Sequence, residues 1–223
     1  MKSKMIIAII PARGNSKRIK NKNIKKFNNK SLLENTITTA LKSKYINKTF
    51  VTSDSNKILN IAKKYRTITI QRPKNLSGNI IMPDYAILHI LKNINYKIDY
   101  VVMLQPTSPL LKTKDVDKAI EQIIKDRSDS LLSCFKTHAF IWKKYKNTSA
   151  PTNYNFLKRP RSQETELYQE NGAIYITRPE IYFKNKNRLG GKISIFTMDF
   201  WESLEIDEVK DFKIIEKIAK FKL

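Results

Sequence analysis

The residues best suited to chemistry form a basic loop near the start of the chain. Five cationic side chains stand close together there, beside Gly14 and Ser16; they are Arg13, Lys17, Arg18, Lys20 and Lys22. Cations gathered around a glycine can surround phosphate oxygens, while the flexible backbone brings its N–H groups close to them. The loop lacks the spacing of a Walker A motif and of a dinucleotide fingerprint. We interpret it as an anion site, with a solvated basic turn as the alternative.

Neutral polar side chains follow a later apolar run. Gln105, Thr107 and Ser108 offer short hydrogen-bonding groups in a loop that Pro106 and Pro109 stiffen. Such a loop is typical of a site for a neutral polar ligand group. An ordinary proline-shaped turn is the alternative interpretation.

Two carboxylates stand one residue apart near the end of the chain. Alternate residues of an extended segment point to the same side, so Glu205 and Asp207 can share one hard cation such as Mg²⁺. The same pair is equally compatible with a solvated edge or with the acidic start of a last helix.

Apolar runs alternate with amphipathic segments along most of the chain. Residues 5–10 contain no polar position, as expected of a parallel strand with helices on both faces. Further strands are predicted at residues 49–52, 67–70, 100–104 and 130–134. Helices are predicted from the capping box Ser31-Leu-Leu-Glu34 onward and over residues 58–65, 84–91, 116–124 with Thr113 as a cap, and 207–221. This alternation predicts an α/β fold with a Rossmann-like, doubly wound and mostly parallel sheet.

This topology predicts where the polar motifs meet. Arg13, Asp54, Arg72 and Gln105 each follow a predicted strand, and the carboxyl ends of parallel strands form the ligand crevice of an open α/β sheet. Asn171-Gly172 has the composition of a turn, and the alternating residues after it predict a strand that presents Tyr175 toward the crevice.

Length and cysteine content set the outer bounds. The chain has 223 residues, enough for one domain spanning residues 1–223. Its single cysteine, Cys134, cannot form an internal disulfide, and its position after an apolar run indicates burial rather than a nucleophile. No apolar run approaches the roughly 18 residues of a membrane-spanning helix, so we expect a cytoplasmic protein with no membrane partner.

The formal net charge of +23 raises nucleic-acid binding as an alternative function. The lysines, however, occur throughout the chain, often beside asparagine and isoleucine, and no RRM, KH, zinc-finger or basic-zipper pattern is present. We therefore expect no nucleic-acid partner. A positive field would equally attract small anionic substrates.

Residues 136–170 interrupt the alternation of strands and helices. Aromatic residues are set among lysines there, at Phe140, Trp142, Tyr145, Tyr154 and Phe156. An aromatic-rich excursion on a small domain indicates either a dimerisation arm or a simple surface insertion.

Five ordered motifs together resemble the acylneuraminate, or CMP-sialic acid synthetase-like, cytidylyltransferases. They are Pro11-Ala-Arg-Gly-Asn-Ser-Lys17 followed by Lys22-Asn-Ile24, then Arg72-Pro73, Leu104-Gln-Pro-Thr-Ser-Pro-Leu110, Asn171-Gly-Ala-Ile-Tyr175, and the pair Glu205 and Asp207. The motifs span nearly the whole chain. The resemblance implies the fold of nucleotide-diphospho-sugar transferases and a homodimer with the 136–170 excursion near its sugar site.

The same resemblance implies a reaction. CMP would pass from CTP to the anomeric hydroxyl of a nonulosonic acid, such as sialic, legionaminic or pseudaminic acid, with release of pyrophosphate and with Mg²⁺ as cofactor. The product, a CMP-sugar, serves surface glycan synthesis. A Kdo-type or other sugar nucleotidyltransferase is the alternative.

The resemblance also distributes roles over the motifs. It assigns CTP to Ala12, Arg13, Gly14, Ser16, Lys17, Lys22, Asn23 and Arg72. It assigns the acidic sugar to Gln105, Thr107, Ser108, Arg161, Gln163 and Tyr175, with Lys158 and Arg159 as equally cationic alternatives to Arg161. It assigns the metal to Asp207 and Glu205, and catalysis to Arg13, Lys22 and Asp207.

Two positions depart from the usual pattern of that family. Glu205 stands where an aspartate is common, which leaves Asp207 as the expected principal metal ligand. Asn79 stands where relatives usually carry an acid after the Arg-Pro pair, and this change is expected to alter nucleotide or metal contacts.

Overall fold

The largest element of the computed structural model is a seven-stranded sheet. The structure describes residues 4–78, 81–164 and 166–222. The strands in those ranges are β1 (Ile6–Pro11), β2 (Lys26–Phe27), β3 (Lys30–Ser31), β4 (Lys48–Ser53), β5 (Ile68–Gln71), β6 (Tyr100–Leu104), β7 (Ser130–Thr137), β8 (Trp142–Lys144), β9 (Ser149–Pro151), β10 (Leu167–Thr177) and β11 (Ile193–Thr197). The α-helices are α1 (Leu32–Leu41), α2 (Asn56–Lys64), α3 (Pro83–Asn93), α4 (Thr113–Asp126), α5 (Pro179–Asn185) and α6 (Val209–Lys222).

The sheet has the strand order β11-β7-β10-β6-β1-β4-β5. Strand β10 runs antiparallel to both of its neighbours, β6 and β7, and the other pairings in this sheet are parallel. The chain moves from β1 outward to β5 and then returns to the other side of β1 with β6. That reversal creates a crevice outside the carboxyl ends of β1 and β6, which is where ligands bind in folds of this type.

Helices cover both faces of the sheet, as the apolar β1 run predicts. Ile6, Ala8 and Ile10 pack in one core cluster with side chains of α1, α2 and α4. Ile7 and Ile9 pack in a second cluster with side chains of α3 and Tyr182 of α5. Successive strand residues point to opposite faces, so two packed layers require an apolar residue at every position. The mostly parallel, doubly wound prediction is confirmed.

The start of α1 shows the predicted capping box. The Ser31 hydroxyl accepts a hydrogen bond from the Glu34 backbone N–H at 3.3 Å, and the Glu34 carboxylate accepts one from the Ser31 N–H at 2.8 Å. The predicted cap of α4 is wrong by one residue. Lys112 is the N-cap, and Thr113 is already helical because its hydroxyl donates to the Thr39 carbonyl at 3.2 Å instead of capping.

Helix α6 closes a third core cluster, as predicted for the end of the chain. Phe212, Ile215 and Ala219 pack there against Phe27 and Ile206. The helix begins at Val209, two residues later than predicted, and the Val209 side chain is exposed.

The excursion is a separate small layer between β7 and β10. Its hairpin, β8 and β9, is stabilised by edge-to-face aromatic contacts, with the Phe140 and Tyr154 rings 4.7 Å apart and the Trp142 and Tyr154 rings 6.2 Å apart. Several of its apolar side chains face solvent, including Trp142 and Phe156.

Cys134 lies on β7 inside the sheet. Burial, together with the charge of Glu170, raises the pKa of its thiol to about 11, so the thiolate that a nucleophile requires is disfavoured. This agrees with the structural role predicted for it. None of the helices in the described ranges combines the length and the hydrophobicity that crossing a membrane requires.

Candidate active site

A cleft of about 830 Å³ opens at the carboxyl ends of β1 and β6. Its lining contains most of the residues that the motifs predict for the site. They are Arg13, Ser16, Lys17, Lys22, Asn23, Arg72, Gln105, Thr107, Tyr175, Glu205 and Asp207. The volume is within the range of small-molecule sites. Residues far apart in sequence therefore converge on one crevice, as the strand alternation predicted.

Two hydrogen bonds hold the backbone of the basic loop in place. The Ala12 N–H continues the β1 ladder by donating to the Thr52 carbonyl at 3.0 Å, and the Ala12 side chain is fully buried. The Asn23 side-chain amide donates to the Arg13 carbonyl at 2.9 Å. These contacts fix the backbone on either side of Arg13, whose side chain lines the cleft.

Gly14 has a different role from the one predicted. Its N–H donates to the Asp54 carboxylate at 2.8 Å and is therefore used within the protein rather than offered to a phosphate. A Cβ at this position would lie 2.7 Å from the Ser55 Cβ, so the loop after β4 packs too closely for any other residue. Gly14 and Ala12 support the loop from behind the cleft surface.

Lys22 contacts the acidic segment that contains Asp207. It lies in the 3₁₀ turn Lys22–Ile24, and its Nζ donates to the Ile206 carbonyl at 2.9 Å and to the Asp207 carboxylate at 3.1 Å. A second cation, Arg18, lies 3.6 Å from the same carboxylate oxygen. The cationic loop and the acidic segment therefore meet at Asp207.

Arg72 supplies a largely buried guanidinium beneath the cleft. Its Nη2 donates to the Thr52 carbonyl at 3.3 Å, and its Nε has no hydrogen-bond partner in the part of the chain that the structure describes. Burial lowers the pKa of Arg72; the charge of Asp54 opposes this effect and the charge of Arg13 reinforces it. A buried cation with unused donors is suited to an anionic or carbonyl-bearing ligand.

The loop after β6 forms the floor between the two sides. The Gln105 amide donates to the Gly172 carbonyl at 2.9 Å, and the Thr107 carbonyl accepts from the Ile206 N–H at 2.8 Å. Gln105 and Thr107 line the cleft, whereas Ser108 is buried behind it. The Ser108 hydroxyl has no hydrogen-bond partner among the described residues, and the predicted contact of this side chain with a ligand in the cleft is not supported by its position.

Asn171-Gly172 is not the predicted turn. Strand β10 continues through both residues, and its register against β7 shifts between Glu170 and Tyr175, which marks a bulge. Gly172 has φ +65°, and a Cβ there would overlap the Glu205 carboxylate. A glycine in the left-handed region is a common device of bulges, so the turn-like composition reflects a bend in a strand.

Glu205 and Asp207 both face the cleft, and Ile206 between them is buried in the third cluster. This is the alternation expected of an extended segment. Burial raises the pKa of Glu205 to about 7, and the charges of Asp207 and Glu170 add to the effect while Lys22 opposes it. The two carboxylates thus repel each other in a partly desolvated place, which is an arrangement that a bound cation would relieve.

Tyr175 forms part of the wall opposite the basic loop. Its hydroxyl donates a short hydrogen bond to the Glu170 carboxylate, and burial followed by this contact raises the pKa of Tyr175. Glu170 also lines the cleft, although no motif pointed to it. Its position directly before Asn171-Gly172 is the signal that would have placed it at the same bulge.

Arg161 and Gln163, like Ser108, Ala12 and Gly14, are predicted site residues that do not line the cleft. The first two are exposed on the excursion, where the Arg161 N–H faces the Glu164 carboxylate at 3.3 Å.

Further wall residues come from the segment around the start of α3, which sequence reasoning did not single out. They are Ser77, Gly78, Ile81, Met82 and Pro83. Asn79, singled out as a departure from the family pattern, lies outside the described residues.

The comparison with known families decides the assignment of this cleft. The cytidylyltransferase family matches residues 7–223. The chain belongs to the cytidylyltransferase family. It is accordingly an enzyme of the nucleotidyltransferase class, and its motifs occupy the cleft described above.

Two relatives within the cytidylyltransferases are similar to this chain over almost its whole length. It is 29% identical to the pseudaminic acid cytidylyltransferase of Campylobacter jejuni over 96% of both proteins. It is 31% identical to the N-acylneuraminate cytidylyltransferase of Escherichia coli over 97% of this chain, but spans only 52% of that protein.

A solved structure supports the fold of this cytidylyltransferase. CMP:2-keto-3-deoxy-manno-octonic acid synthetase complexed with CTP superposes with a TM-score of 0.74 and covers 98% of this chain and 100% of that chain. The sequences are 13% identical, so the likeness concerns the fold alone.

Proposed function

We propose that this cytidylyltransferase transfers CMP from CTP to the anomeric hydroxyl of a nonulosonic acid and releases pyrophosphate. The observation that carries the proposal is the meeting of the cationic loop with the acidic segment, where Lys22 contacts Asp207 at 3.1 Å between two chemically different walls. The relatives named for pseudaminic and N-acylneuraminic acid support the substrate class. We place the reaction in the cytoplasm, where a lone cysteine stays reduced.

The nucleotide belongs on the side of the basic loop. Arg13, Lys17 and Lys22 line it, and arginine offers paired donors to phosphate while lysine acts as a movable charge. The Asn23 amide nitrogen already donates to the Arg13 carbonyl, which leaves the side-chain oxygen as an acceptor. Cytosine carries an amino donor at the position where uracil carries an oxygen, so this acceptor favours CTP over UTP.

Catalysis then consists of positioning and charge stabilisation. The sugar hydroxyl attacks the α-phosphorus of CTP and releases its proton to water, the bond to pyrophosphate breaks, and negative charge accumulates on the leaving group. Arg13 and Lys22 stabilise that charge because they are already held in place by the protein. Asp207 keeps the Lys22 ammonium aimed at the junction between the two substrates.

The acidic sugar belongs on the opposite side, against β10. Gln105, Thr107 and Tyr175 offer neutral polar contacts there, and Glu170 accepts hydrogen bonds from hydroxyl or amide groups. The sugar carboxylate must face the cationic side, because Glu170, Glu205 and Asp207 would repel it.

We also propose Mg²⁺ as the cofactor, held by Asp207 and Glu205. Among the described residues no group of three or more acidic, histidine or cysteine side chains could hold a metal. Two carboxylates are nevertheless the usual protein share of a Mg²⁺ site, since phosphates and water complete the shell. When bound, the ion would neutralise charge on the triphosphate.

The test of the function is a pyrophosphate-release assay with CTP, UTP, ATP and GTP. Each nucleotide is paired with pseudaminic, legionaminic, N-acetylneuraminic and 3-deoxy-manno-octulosonic acids, and the product is identified by mass spectrometry. We expect a CMP-sugar from CTP and a nine-carbon acid. Preference for the eight-carbon acid would favour the Kdo-type alternative, and no turnover with any pair would refute the proposal.

The metal is tested in the same assay. EDTA should abolish turnover, and added Mg²⁺ should restore it. Asp207→Asn should raise the Mg²⁺ concentration needed for half-maximal activity more than Asp211→Asn does. Asp211 is the control because its carboxylate accepts hydrogen bonds from the backbone N–H groups of residues 207 and 208. Full activity in metal-free buffer would refute the metal assignment.

We further propose a homodimer formed through the excursion. Its solvent-facing apolar side chains, among them Trp142, Phe156 and Leu157, form the kind of patch that marks an interface. In such a dimer the excursion can approach the cleft of the other copy, which gives Arg161 and Gln163 a route to a sugar site. Light scattering should give about twice 26.1 kDa. A monomer at micromolar concentration would contradict this.

A further inference from the structure

A buried guanidinium lies behind the sugar side of the cleft. Arg188 follows α5, and its Nε and Nη2 donate to the two Asp84 carboxylate oxygens at 3.0 and 2.6 Å. Asp84 is fully buried, and the Arg188 side chain is 14% exposed. Two parallel hydrogen bonds hold a guanidinium in one orientation, which a single ionic contact does not do.

The same guanidinium packs on a residue of the cleft wall. The Arg188 Cζ lies 4.7 Å from the centre of the Tyr175 ring. The Tyr175 hydroxyl in turn donates to Glu170, and both residues line the cleft. The Arg188 backbone is fixed to the same strand, since its carbonyl accepts from the Thr177 hydroxyl at 2.5 Å.

The partner carboxylate belongs to the other wall. Asp84 lies in the first turn of α3, directly after Met82 and Pro83, which line the cleft. Burial alone would lower the pKa of Arg188, but the hydrogen bonds and charge of Asp84 outweigh it and raise that pKa. One permanently charged side chain therefore contacts both the β10 wall and the start of α3 without itself lining the cleft.

We infer that Arg188 is a positioning residue for the acidic sugar, which fixes the Tyr175 and Glu170 side chains through its stack on Tyr175 and aligns them with the α3 wall through Asp84. The inference rests on the proposed function, because it assigns the sugar to this wall. A polar wall recognises hydroxyl and amide groups well only when its donors and acceptors are already oriented.

The chain contains a matched arrangement that is remote from the cleft. The Arg178 Cζ lies 4.9 Å from the centre of the Tyr100 ring, and its Nε lies 3.3 Å from the Asp129 carboxylate. Tyr100 is the first residue of β6, whereas Gln105 follows the last residue of the same strand. This stack therefore lies at the amino end of β6, and the cleft lies at its carboxyl end. Arg178 is therefore a control for the loss of a stacked arginine.

The test compares Arg188→Lys with Arg178→Lys. Lysine keeps the charge beside each carboxylate but loses the planar stack on the tyrosine ring in both variants, and in Arg188→Lys it also loses the paired hydrogen bonds to Asp84. Steady-state kinetics are measured with CTP and the acidic sugar varied in turn, and melting temperatures are recorded for both variants. We expect Arg188→Lys to raise the KM for the sugar about tenfold with less than a twofold change for CTP, and Arg178→Lys to leave both constants within twofold.

A second variant covers the case in which Arg188→Lys does not fold. The double change Asp84→Asn with Arg188→Met removes both charges together, so no buried carboxylate remains unpaired. It should show the same selective rise in the KM for the sugar.

Equal kinetic profiles for the two lysine variants, or a rise in both KM values together, would overturn the inference. The inference would also be overturned if the wild type were active and Arg188→Lys had an unchanged KM for the sugar. That outcome would leave the proposed function intact. A wild type that makes no CMP-sugar would refute the proposed function, and the inference would fall with it.

Discussion

The nucleotide side and the sugar side of the cleft are built in different ways. On the nucleotide side, Arg13 and Arg72 lie just beyond the carboxyl ends of the parallel strands β1 and β5, and the Asn23 contact that fixes the Arg13 backbone joins residues ten positions apart. On the sugar side, Gly172 and Glu205 belong to an antiparallel bulge and an extended segment that meet only in the folded chain.

Because of this difference, we expect substitutions on the two sides of the cleft to have different effects on its contacts. The nucleotide side is held by separate hydrogen bonds, such as those of the Arg13 carbonyl with Asn23 and of the Gly14 N–H with Asp54, so a side-chain substitution there should remove one contact and leave the others in place. The sugar side depends on the register of β10 against β7, because the bulge sets where Glu170 and Tyr175 point. A change at the bulge should therefore disturb several contacts at once.

The largest effect is expected where the two sides meet. Lys22→Met keeps the aliphatic stem but removes the ammonium that contacts Asp207 at 3.1 Å and the Ile206 carbonyl at 2.9 Å. Loss of a preoriented charge at the leaving group typically costs about 2.7–4 kcal/mol, or roughly 100- to 1000-fold in kcat. Steady-state kinetics should show this fall, because kcat reports the transition state.

Lys20→Met is the matched control, since Lys20 is exposed in the same loop and does not line the cleft. It removes the same charge from the same region. Equal losses in the two variants would mean that the net positive field, and not the position of Lys22, determines the rate.

A smaller effect on activity, but a clear effect on stability, is expected at the bulge. Gly172→Ala forces a side chain into φ +65° and against the Glu205 carboxylate. The left-handed conformation alone costs about 1–2 kcal/mol, and displacement of Glu205 adds to it. Urea denaturation should show a lower free energy of unfolding by at least that amount.

Gly78→Ala tests whether this loss is specific to the bulge. Gly78 also lines the cleft, but among the residues that the structure describes a Cβ there would meet the Ile81 side chain alone, at 3.5 Å, an ordinary contact distance. Its stability should change by less than about 1 kcal/mol. A comparable loss in both variants would show that the bulge is not the rigid element proposed here.

The contrast between the two sides also explains what the sequence alone could predict. The apolar β1 run, the capping box at Ser31 and the strand ends are local patterns, so the sheet class and the positions of Arg13, Arg72 and Gln105 followed from them. Alternation also predicted that Tyr175 points toward the crevice and that Glu205 and Asp207 share one side, but only the family motifs placed this acidic pair in the same cleft.

The remaining features depend on contacts that no local pattern encodes. Asn171-Gly172 has the composition of a turn, and only the pairing of β10 with β7 on both sides of these residues shows that they form a bulge within one strand. Gly14 was expected to offer its N–H to a phosphate, but Asp54, forty residues later, accepts that hydrogen bond. Arg161 and Gln163 are exposed on the excursion, whose aromatic contacts, such as that of Phe140 with Tyr154, join residues of the excursion to one another.

The smallest effect is expected at the residue that links the two sides through a neutral contact. Gln105→Ala removes the amide that donates to the Gly172 carbonyl at 2.9 Å, which leaves a partly buried acceptor unpaired at the bulge. Such a loss costs about 1–3 kcal/mol, so the KM for the acidic sugar should rise by roughly tenfold while that for CTP changes little.

Gln122→Ala is the matched control, because its amide likewise donates to a strand carbonyl, that of Ile195, at 2.8 Å but on the exposed side of α4. If Gln105→Ala instead raised the KM for CTP as much as that for the sugar, the division of the cleft into a nucleotide side and a sugar side would be wrong.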